Sequence, residues 1–600
     1  MMKKFLLIVC GSFVGVTLAL MLFFITSVIF SIAMVGISAS SGKSTAKVQD
    51  NSVLHLQLSG EIIERAGTAE TSMMQLVQGN LPQTTSLQVL VKSIEKAAED
   101  DKIKGIYLEC DGSSAAPASR ELLRNALVKF KKSGKWIIAY GNEGYDQGDY
   151  YLATAADSIF LNPIGAVDVH GMASATPYLK RLFDKVGVEM QVIRVGRFKS
   201  AVEPYMLDSI SPENREQQLH YMGSIWGVMS ESMAKARKID PVKFNTMVDS
   251  VLVTQPTDSL LKDHLVDKLF YRNEMEDHLR TLIGLKADDD LSERLVEPVS
   301  YVTDIEEAAS GEHVAVLYAV GEIDAGGGPM GSSSGIDTEQ LSEEILDLAK
   351  NDDVKGLVLR VNSPGGSAFG SEQMWHALEE FKKTGKPFAV SMSDYAASGG
   401  YYISAGADRI FAMPTTITGS IGIFGVIPCF QDLAENKLGV KTSVVKTNAN
   451  ADLGISTKRL TATQRAAIQR MINAGYDLFT KRCATGRKVS QDSIKSIAEG
   501  RVWDGITAKK IGLVDELGDL DAAIAWVGKK AGLKDGDIKT QNYPAVETDW
   551  RAMLDKLMAQ QYEARLQGEM GFLYQWHKEL QTILNRHHVL CLMENGKIEF

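Results

Sequence analysis

Hydrophobic positions between residues 50 and 545 follow two periods that alternate along the chain. Short runs rich in β-branched and aromatic residues predict β-strands, at 106–110, 136–139, 357–361 and 388–391. Amphipathic stretches with a period of about 3.6 residues predict helices, at 120–131 and 371–382. Strands that alternate with helices of this length are typical of βα units. We therefore predict an α/β fold with mostly parallel sheets.

The chain also repeats itself at a long period. Residues 129–135 (KFKKSGK) match residues 380–386 (EFKKTGK) 251 positions later, and the same spacing relates residues 157–160 (DSIF) to 408–411 (DRIF). A period this long indicates duplicated domains rather than a solenoid. The predicted domains are a first repeat at 45–305 and a second repeat at 306–545.

The N-terminus predicts a transmembrane anchor at 1–44. Lys3 and Lys4 are followed by no charged residue until Lys43, and residues 5–36 are almost continuously apolar. A membrane-spanning helix needs about 20 such residues, whereas the apolar region of a cleavable signal peptide has about 7–15. We predict one uncleaved helix with the two lysines in the cytoplasm. The alternative is a cleaved export signal, because residues 38–41 are small.

The C-terminal residues 546–600 differ in character from both repeats. Helical periodicity at 549–567 and 573–584 predicts a C-terminal helical extension that serves packing or oligomerisation. A role at the membrane surface is the alternative. Asn595-Gly596 between two short apolar runs predicts a β-hairpin near the end of the chain.

Composition and charge narrow the function classes. The chain is 45% hydrophobic and 23% charged, which is ordinary for a folded protein. Its net charge of −11 argues against a protein that binds nucleic acid mainly through its overall charge. Its five cysteines form no CxxC pair and have no metal-ligand spacing. Residues 36–44 come near a phosphate-binding loop, but Ser41 stands where the motif needs glycine. We predict no metal and no cofactor.

Residues that differ between the two repeats are candidates for chemistry, because a core shared by both copies does not require them. Ser398, in AASGGYY, stands where the first repeat has Gln147. A serine at a strand-to-helix turn can expose its hydroxyl, and the helix N-terminus offers N–H groups to an anion. This arrangement suits a nucleophile with an oxyanion hole. The alternative is an ordinary helix N-cap.

A second difference lies in residues 361–367 (VNSPGGS), which match residues 110–116 (CDGSSAA) of the first repeat. Gly365 and Gly366 have no counterpart there. Two glycines after a strand allow a ligand to approach the backbone closely, so their N–H groups could complete an oxyanion hole. A simple turn before a helix is the alternative.

A serine nucleophile needs a base. The histidines of the second repeat are His313 and His376, and His376 lies on a predicted helix face, where we interpret it as structural. The other option is a buried lysine kept neutral, because burial disfavours the charged ammonium. Lys199 is the candidate, since the matching residues 444–451 carry no lysine at its place. One composite site, with lysine from the first repeat and serine from the second, would explain both differences.

At these residues the chain resembles the long, duplicated form of the bacterial signal peptide peptidase A family, also called protease IV. The resemblance covers essentially the whole chain. Each motif alone is weak, but all in this order are highly specific. The matching motifs are 196–205 (GRFKSAVEPY), 361–367 (VNSPGGS), 397–402 (ASGGYY), 418–422 (TGSIG), and 500–503 (GRVW) with 512–515 (GLVD).

The resemblance implies a serine endopeptidase with a Ser/Lys dyad and the crotonase-like fold shared with Clp protease. Ser398 would be the nucleophile, Lys199 the general base, and Ser420 a hydroxyl that orients the lysine. The N–H groups of the oxyanion hole would come from Gly399 with Gly365 or Gly366. The family's properties further imply a homotetramer anchored in the bacterial inner membrane, with its catalytic part in the periplasm. Its substrates would be signal peptides left after protein export.

Two rival functions remain at this stage. A crotonase-like acyl-thioester enzyme also uses backbone N–H groups as an oxyanion hole, but an exported domain would be separated from cytoplasmic coenzyme A. A non-catalytic membrane-anchored scaffold would be signalled by loss of Ser398 or Lys199, and both residues are present.

Overall fold

The computed structural model describes residues 48–65, 84–286, 289–302, 309–324, 335–534, 536, 538–545, 590–592 and 598–599. The predicted anchor at 1–44 and the predicted helices at 549–567 and 573–584 lie outside the described residues. Within the described ranges, no helix combines the length and the apolar character needed to cross a membrane. The domain boundaries at residues 45, 306 and 546 stay predictions.

The first half of the chain builds one parallel sheet. The strands of this half are β1 (Ser52–Ile63), β2 (Thr84–Ser86), β3 (Ile103–Ser114), β4 (Trp136–Gly141), β5 (Gly144–Tyr145), β6 (Ser158–Leu161), β7 (Ala166–Val167), β8 (Ala173–Ser174), β9 (Glu189–Arg194), β10 (Lys268–Leu269) and β11 (Leu295–Val296). The sheet has the order β10-β6-β4-β3-β1-β11, with β2 paired to β1, and all of these pairs are parallel.

The second half repeats this sheet. Its strands are β12 (His313–Val320), β13 (Ile323–Asp324), β14 (Ile336–Asp337), β15 (Val354–Ser363), β16 (Gly365–Ser367), β17 (Phe388–Ala397), β18 (Arg409–Ala412), β19 (Ile417–Gly419), β20 (Phe424–Cys429), β21 (Val502–Asp504), β22 (Glu516–Leu517) and β23 (Thr540–Tyr543). The path β22-β18-β17-β15-β12-β23 matches β10-β6-β4-β3-β1-β11, while β19 and β21 extend the sheet beyond the end of β17. The predicted mostly parallel α/β architecture is confirmed.

The helices follow the repeat in part, because the described residues form ten helices in the first half and seven in the second. Those of the first half are α1 (Leu87–Glu99), α2 (Pro117–Phe130), α3 (Gln147–Ala153), α4 (Lys180–Val186), α5 (Glu203–Met206), α6 (Pro212–Arg237), α7 (Pro241–Val248), α8 (Thr257–Lys262), α9 (Arg272–Ile283) and α10 (Pro298–Tyr301). Those of the second half are α11 (Thr338–Lys350), α12 (Ala368–Lys383), α13 (Gly399–Ser404), α14 (Ala462–Arg487), α15 (Gln491–Ile497), α16 (Gly505–Lys510) and α17 (Leu520–Lys530). The predicted helices at 120–131 and 371–382 correspond to α2 and α12.

The two halves are packed into one body. The largest hydrophobic cluster of the first half includes Ala397, Ile417 and Val502 from the second half. Buried polar contacts also cross the boundary: the Ser119 N–H and Oγ donate to Asp394 at 2.8 and 2.6 Å. A site that draws side chains from both halves can therefore be held rigidly.

A third sheet joins the halves next to the candidate residues. Its order is β14-β13-β16-β24-β20-β9, where β24 is Leu590–Leu592. Strand β9 of the first half pairs antiparallel with β20 of the second over six residue pairs, from Arg194–Phe424 to Glu189–Cys429. Because β9 leads into the segment with Lys199, and β20 follows the segment with Ser420, this pairing brings the two segments together.

The predicted hairpin around Asn595-Gly596 is wrong. Strand β24 pairs antiparallel with β16 and with Phe424 of β20, whereas the next strand, β25 (Ile598–Glu599), pairs with β8 of the first half. The open edges of β16, β20 and β8 offer backbone partners that a local turn signal cannot register. The two short strands therefore join different sheets instead of each other.

His55 is buried in the first sheet with its ring between two carboxylates. Nε2 lies 3.0 Å from Glu109 Oε2, and Nδ1 lies 3.1 Å from Glu297 Oε1. Burial alone would lower the pKa of His55, but the hydrogen bonds and charges of the two carboxylates outweigh it and raise the pKa to about 9. The raised pKa means that protonated His55 stabilises the fold fully below its ordinary pKa of 6.5 and that this contribution disappears as pH rises through about 9.

We expect the wild-type chain to be more stable than His55→Gln at pH 6, and this advantage to shrink as pH approaches 10. The advantage at pH 6 should be about 3 kcal/mol of unfolding free energy, since one pKa unit corresponds to about 1.4 kcal/mol. Thermal unfolding across this pH range measures it. His170→Gln is the matched control, because His170 is half-exposed beside Asp168. A difference between wild type and His55→Gln that stays constant with pH would contradict the prediction.

Candidate active site

Ser398 lies where β17 ends and α13 begins. Its φ of 56° and ψ of −112° form a conformation that non-glycine residues seldom adopt, at a cost on the order of 1–3 kcal/mol. Two backbone hydrogen bonds hold it: the Ser398 N–H donates to Gly419 O at 2.8 Å, and the Tyr402 N–H donates to Ser398 O at 2.9 Å. Ser398 occupies the N-cap position, but its side chain makes no capping hydrogen bond. The hydroxyl therefore does not cap the helix, which argues against the alternative that Ser398 is an ordinary N-cap.

The amine of Lys199 lies beside this hydroxyl. Lys199 Nζ is 2.8 Å from Ser398 Oγ, 3.0 Å from Ser420 O and 3.1 Å from Ser420 Oγ. All three residues are buried, with Lys199 and Ser420 1% exposed and Ser398 fully enclosed. The structure thus brings together the three side chains that the sequence analysis singled out, and it does so across the two halves.

Two glycines make room for the lysine. Gly500 has a φ of 78°, and a Cβ on it would come within 2.7–2.8 Å of the N, Cα and Cβ atoms of Lys199. A Cβ on Gly422 would lie 3.3 Å from Lys199 Cδ. These glycines belong to the motifs at 418–422 and 500–503, but the motifs do not indicate what Gly422 or Gly500 contacts. Their position against the lysine could not be found from the sequence, since the contact joins segments about 300 and 220 residues apart.

The candidate oxyanion glycines lie next to the serine. Gly365 Cα is 3.2 Å from the place that a Cβ on Gly399 would occupy, so the two backbones touch. Gly399 begins α13, and the first N–H groups of a helix have no acceptor within the helix. The Gly365 N–H donates to Ser363 Oγ at 3.2 Å. Gly366, with a φ of 154°, pairs with Ile323 of β13.

The histidines of the second half have partners of their own. His313 is buried, with Nδ1 2.8 Å from Gly311 O and Nε2 3.0 Å from the Tyr543 hydroxyl. His376 is mostly exposed on α12, with Nε2 3.8 Å from Glu380. The hydroxyl of Ser398 is instead contacted by the lysine amine.

The matching place in the first half is filled. Gln147 stands at the position of Ser398, and its side-chain oxygen accepts hydrogen bonds from the N–H groups of His170 and Gly171. Asp149 accepts hydrogen bonds from the backbone N–H groups of Gly112 and Ser113 and forms an ion pair with Arg120. A side chain on Gly148 would collide with the Arg120 guanidinium. The first copy of the site is therefore a packed structural cluster.

Among the residues that the structure describes, no group of three or more His, Cys, Asp or Glu side chains is arranged to hold a metal ion.

The comparison with protein families decides the class. Peptidase family S49 matches residues 129–286 and 380–534, one stretch in each half and together more than half of the chain. This chain belongs to peptidase family S49. It is a serine peptidase, as the sequence analysis predicted.

Individual relatives agree with the family assignment. "Protease 4" of Salmonella typhi is 36% identical over 529 residues, covering 86% of this chain and 84% of the relative. "Serine protease SPPA, chloroplastic" of Arabidopsis thaliana is 31% identical over 493 residues, covering 81% of this chain and 70% of the relative. A mutant of ClpP1 from Listeria monocytogenes is similar at a TM-score of 0.22 and 13% identity, covering 35% of this chain and 93% of that one. A score this low does not bear on the fold.

Proposed function

We propose that this S49 peptidase is an endopeptidase with a Ser/Lys dyad, in which Ser398 is the nucleophile and Lys199 the general base. The observation that carries the proposal is the 2.8 Å distance between Lys199 Nζ and Ser398 Oγ in a buried site. Burial disfavours the charged form of an amine, and a neutral amine can accept the proton of the hydroxyl. Ser420 has two oxygens within 3.1 Å of Lys199 Nζ, and they would orient the amine towards the Ser398 hydroxyl.

The chemistry then follows in two steps. As Ser398 Oγ bonds to the peptide carbonyl carbon, its proton passes to Lys199 Nζ, and a tetrahedral oxyanion forms. The C–N bond breaks while the lysinium returns the proton to the leaving amine, which leaves an ester on Ser398. Water attacks this ester, gives a proton to Lys199, and the acid leaves as Oγ regains its proton. Protons and electrons balance without a metal or a cofactor.

Backbone amides would stabilise the oxyanion. The N–H of Gly399 opens α13, where the helix dipole favours negative charge. The second donor is proposed to be the N–H of Gly366, because the Gly365 N–H already donates to Ser363 Oγ. Gly365 still serves the site by its lack of a side chain, since its Cα packs directly against Gly399.

The substrate would bind as an extended strand. Strand β16, which contains both oxyanion candidates of the loop, pairs with β24 in antiparallel register, Gly365 with Leu592 and Ser367 with Leu590. This edge therefore accepts a backbone beside the serine, and main-chain hydrogen bonds bind peptides without regard to their side chains. A substrate that binds this edge takes the place of β24.

The finer biology is proposed from the resemblance to the signal peptide peptidase A family. We propose that the chain has the family's crotonase-like fold and is anchored through residues 1–44 in the bacterial inner membrane. Its catalytic part would lie in the periplasm, and four copies would assemble. Residual signal peptides are the proposed substrates, because they are apolar segments left at the same membrane.

The test is to trap the acyl-enzyme. The full chain in detergent micelles is incubated with a synthetic signal peptide. In a second incubation it receives an activated acyl ester that acylates the serine faster than the acyl-enzyme is hydrolysed. We expect cleavage of the peptide and an added acyl mass that maps to Ser398. A folded globular protein should resist cleavage, because it does not present an extended strand.

Acyl-coenzyme A is the control substrate for the rival enzyme class. Turnover of the thioester without peptide cleavage would favour the acyl-thioester function. An acyl mass on another residue would overturn Ser398 as the nucleophile.

A further inference from the structure

The amide of Gln217 connects the lysine segment to the second half of the chain. Gln217 lies on α6 and is 1% exposed. Its Nε2 donates to Phe198 O at 3.0 Å and to Ser200 Oγ at 3.0 Å, so it binds the residues on both sides of Lys199. Its Oε1 accepts a hydrogen bond at 3.1 Å from the N–H of Val502, in β21 of the second half.

The orientation of this amide is fixed by chemistry. The backbone N–H of Val502 can only donate and the carbonyl of Phe198 can only accept, so Oε1 must face the former and Nε2 the latter. Strand β21 pairs with β19, whose last residue, Gly419, accepts the hydrogen bond of the Ser398 N–H. The Gln217 side chain therefore connects the segment that carries Lys199 to the strands that hold Ser398.

The peptide unit on the other side of Lys199 is held as well. Arg194 Nη1 donates to Lys199 O at 2.8 Å, and Arg194 lies 3.9 Å from the buried carboxylate of Glu203. With Phe198 O bound by Gln217 and Lys199 O bound by Arg194, the backbone on both sides of the lysine Cα is fixed. The direction in which the lysine side chain leaves the backbone is then fixed too.

Gln217 also differs between the two repeats. Helices α6 and α14 are both 26 residues long. Their N-cap residues, Ser211 and Thr461, are 250 positions apart in the sequence. At that spacing Ala467 stands where the first half has Gln217. The glutamine thus occurs only in the copy that carries the lysine, and the packing that both helices share does not require it.

We infer that Gln217 is a positioning residue for the reaction: it holds the backbone around Lys199 against the second half, so that the amine stays within reach of the Ser398 hydroxyl. The inference rests on the proposed role of Lys199. Gln217 makes no hydrogen bond to Ser398, because its partners are Phe198, Ser200, Asn214 and Val502. Its loss should therefore weaken proton transfer and leave substrate binding unchanged.

Gln217→Met tests this inference in the full chain, because methionine has a similar length and cannot form the four hydrogen bonds of the amide. We expect kcat for a peptide amide to fall about 10- to 100-fold, as for small misplacements of reacting groups, with KM within about twofold of wild type. For a p-nitrophenyl ester the loss should be about tenfold smaller, because the leaving phenolate needs no proton from the lysinium. Gln217→Glu should show the same pattern, since it places an acceptor against Phe198 O.

The ratio of amide to ester turnover makes the test independent of folding, because a smaller folded fraction lowers both rates equally. Gln218→Met, which changes the neighbouring buried glutamine of α6, should keep the wild-type ratio. An unchanged ratio in both Gln217→Met and Gln217→Glu would overturn the positioning role. Lys199→Ala runs in parallel: wild-type activity in that variant would instead overturn the dyad.

Discussion

Ser398→Ala and Lys199→Ala are each expected to lower kcat for peptide hydrolysis by on the order of 10⁴-fold, and the double variant is expected to be no slower than the slower single variant. The reason is that the two groups act in one event: the hydroxyl attacks only as its proton leaves, and the amine 2.8 Å away is the proposed acceptor. Once either is gone, the other has no reaction to assist. Steady-state kinetics on a single peptide measure kcat and KM for all four enzymes.

Matched controls exist for both substitutions. Ser404 is a buried serine at the C-terminal end of α13, where its Oγ donates to Gly400 O at 2.7 Å, and Lys185 is an exposed lysine of the first half. Ser404→Ala and Lys185→Ala should keep kcat within a few fold of wild type. Independent, multiplying losses in the double variant would contradict a dyad. Near-normal turnover in Lys199→Ala would point to another base.

Gly500→Ala is expected to lower kcat about 100-fold without touching a reacting atom. The new Cβ would lie 2.7–2.8 Å from backbone atoms and Cβ of Lys199, closer than van der Waals contact allows. Backbone atoms cannot rotate away, so the segment with Lys199 has to shift and its amine loses the short distance to Ser398. Peptide turnover and thermal unfolding of the variant measure the two consequences separately.

Gly512→Ala separates the collision from backbone strain. Gly512 has a φ of 81°, close to that of Gly500, but a Cβ on it meets nothing within 4 Å. Both variants should lose about 1–2 kcal/mol of stability from the left-handed conformation. Only Gly500→Ala should lose activity. Equal losses of kcat in the two variants would show that strain, and not the contact with Lys199, is responsible.

The asymmetry between repeats proved the most informative signal in the sequence. It singled out Ser398, which has Gln147 at the matching position of the first repeat. It also singled out Lys199, because the matching stretch of the second repeat has no lysine at that position. The same comparison along α6 and α14 would have found Gln217 against Ala467. An isolated glutamine in a helical pattern carries no chemical signature, so the sequence alone does not mark this position as functional. Its meaning comes from Phe198 and Val502, which lie on either side of it only in the folded chain.

The sequence by itself determined the alternating strands and helices of the two repeats, the duplication, the family and the candidate dyad of this protein. Strand and helix periods are local, and they survive folding because each element must bury its own apolar face. Only the tertiary structure decided how the halves meet: the pairing of β9 with β20, the place of Gly500 against Lys199, and the partners of β24 and β25. Backbone pairing uses N–H and C=O groups that every residue carries, so the sequence holds no local code for which edges will join.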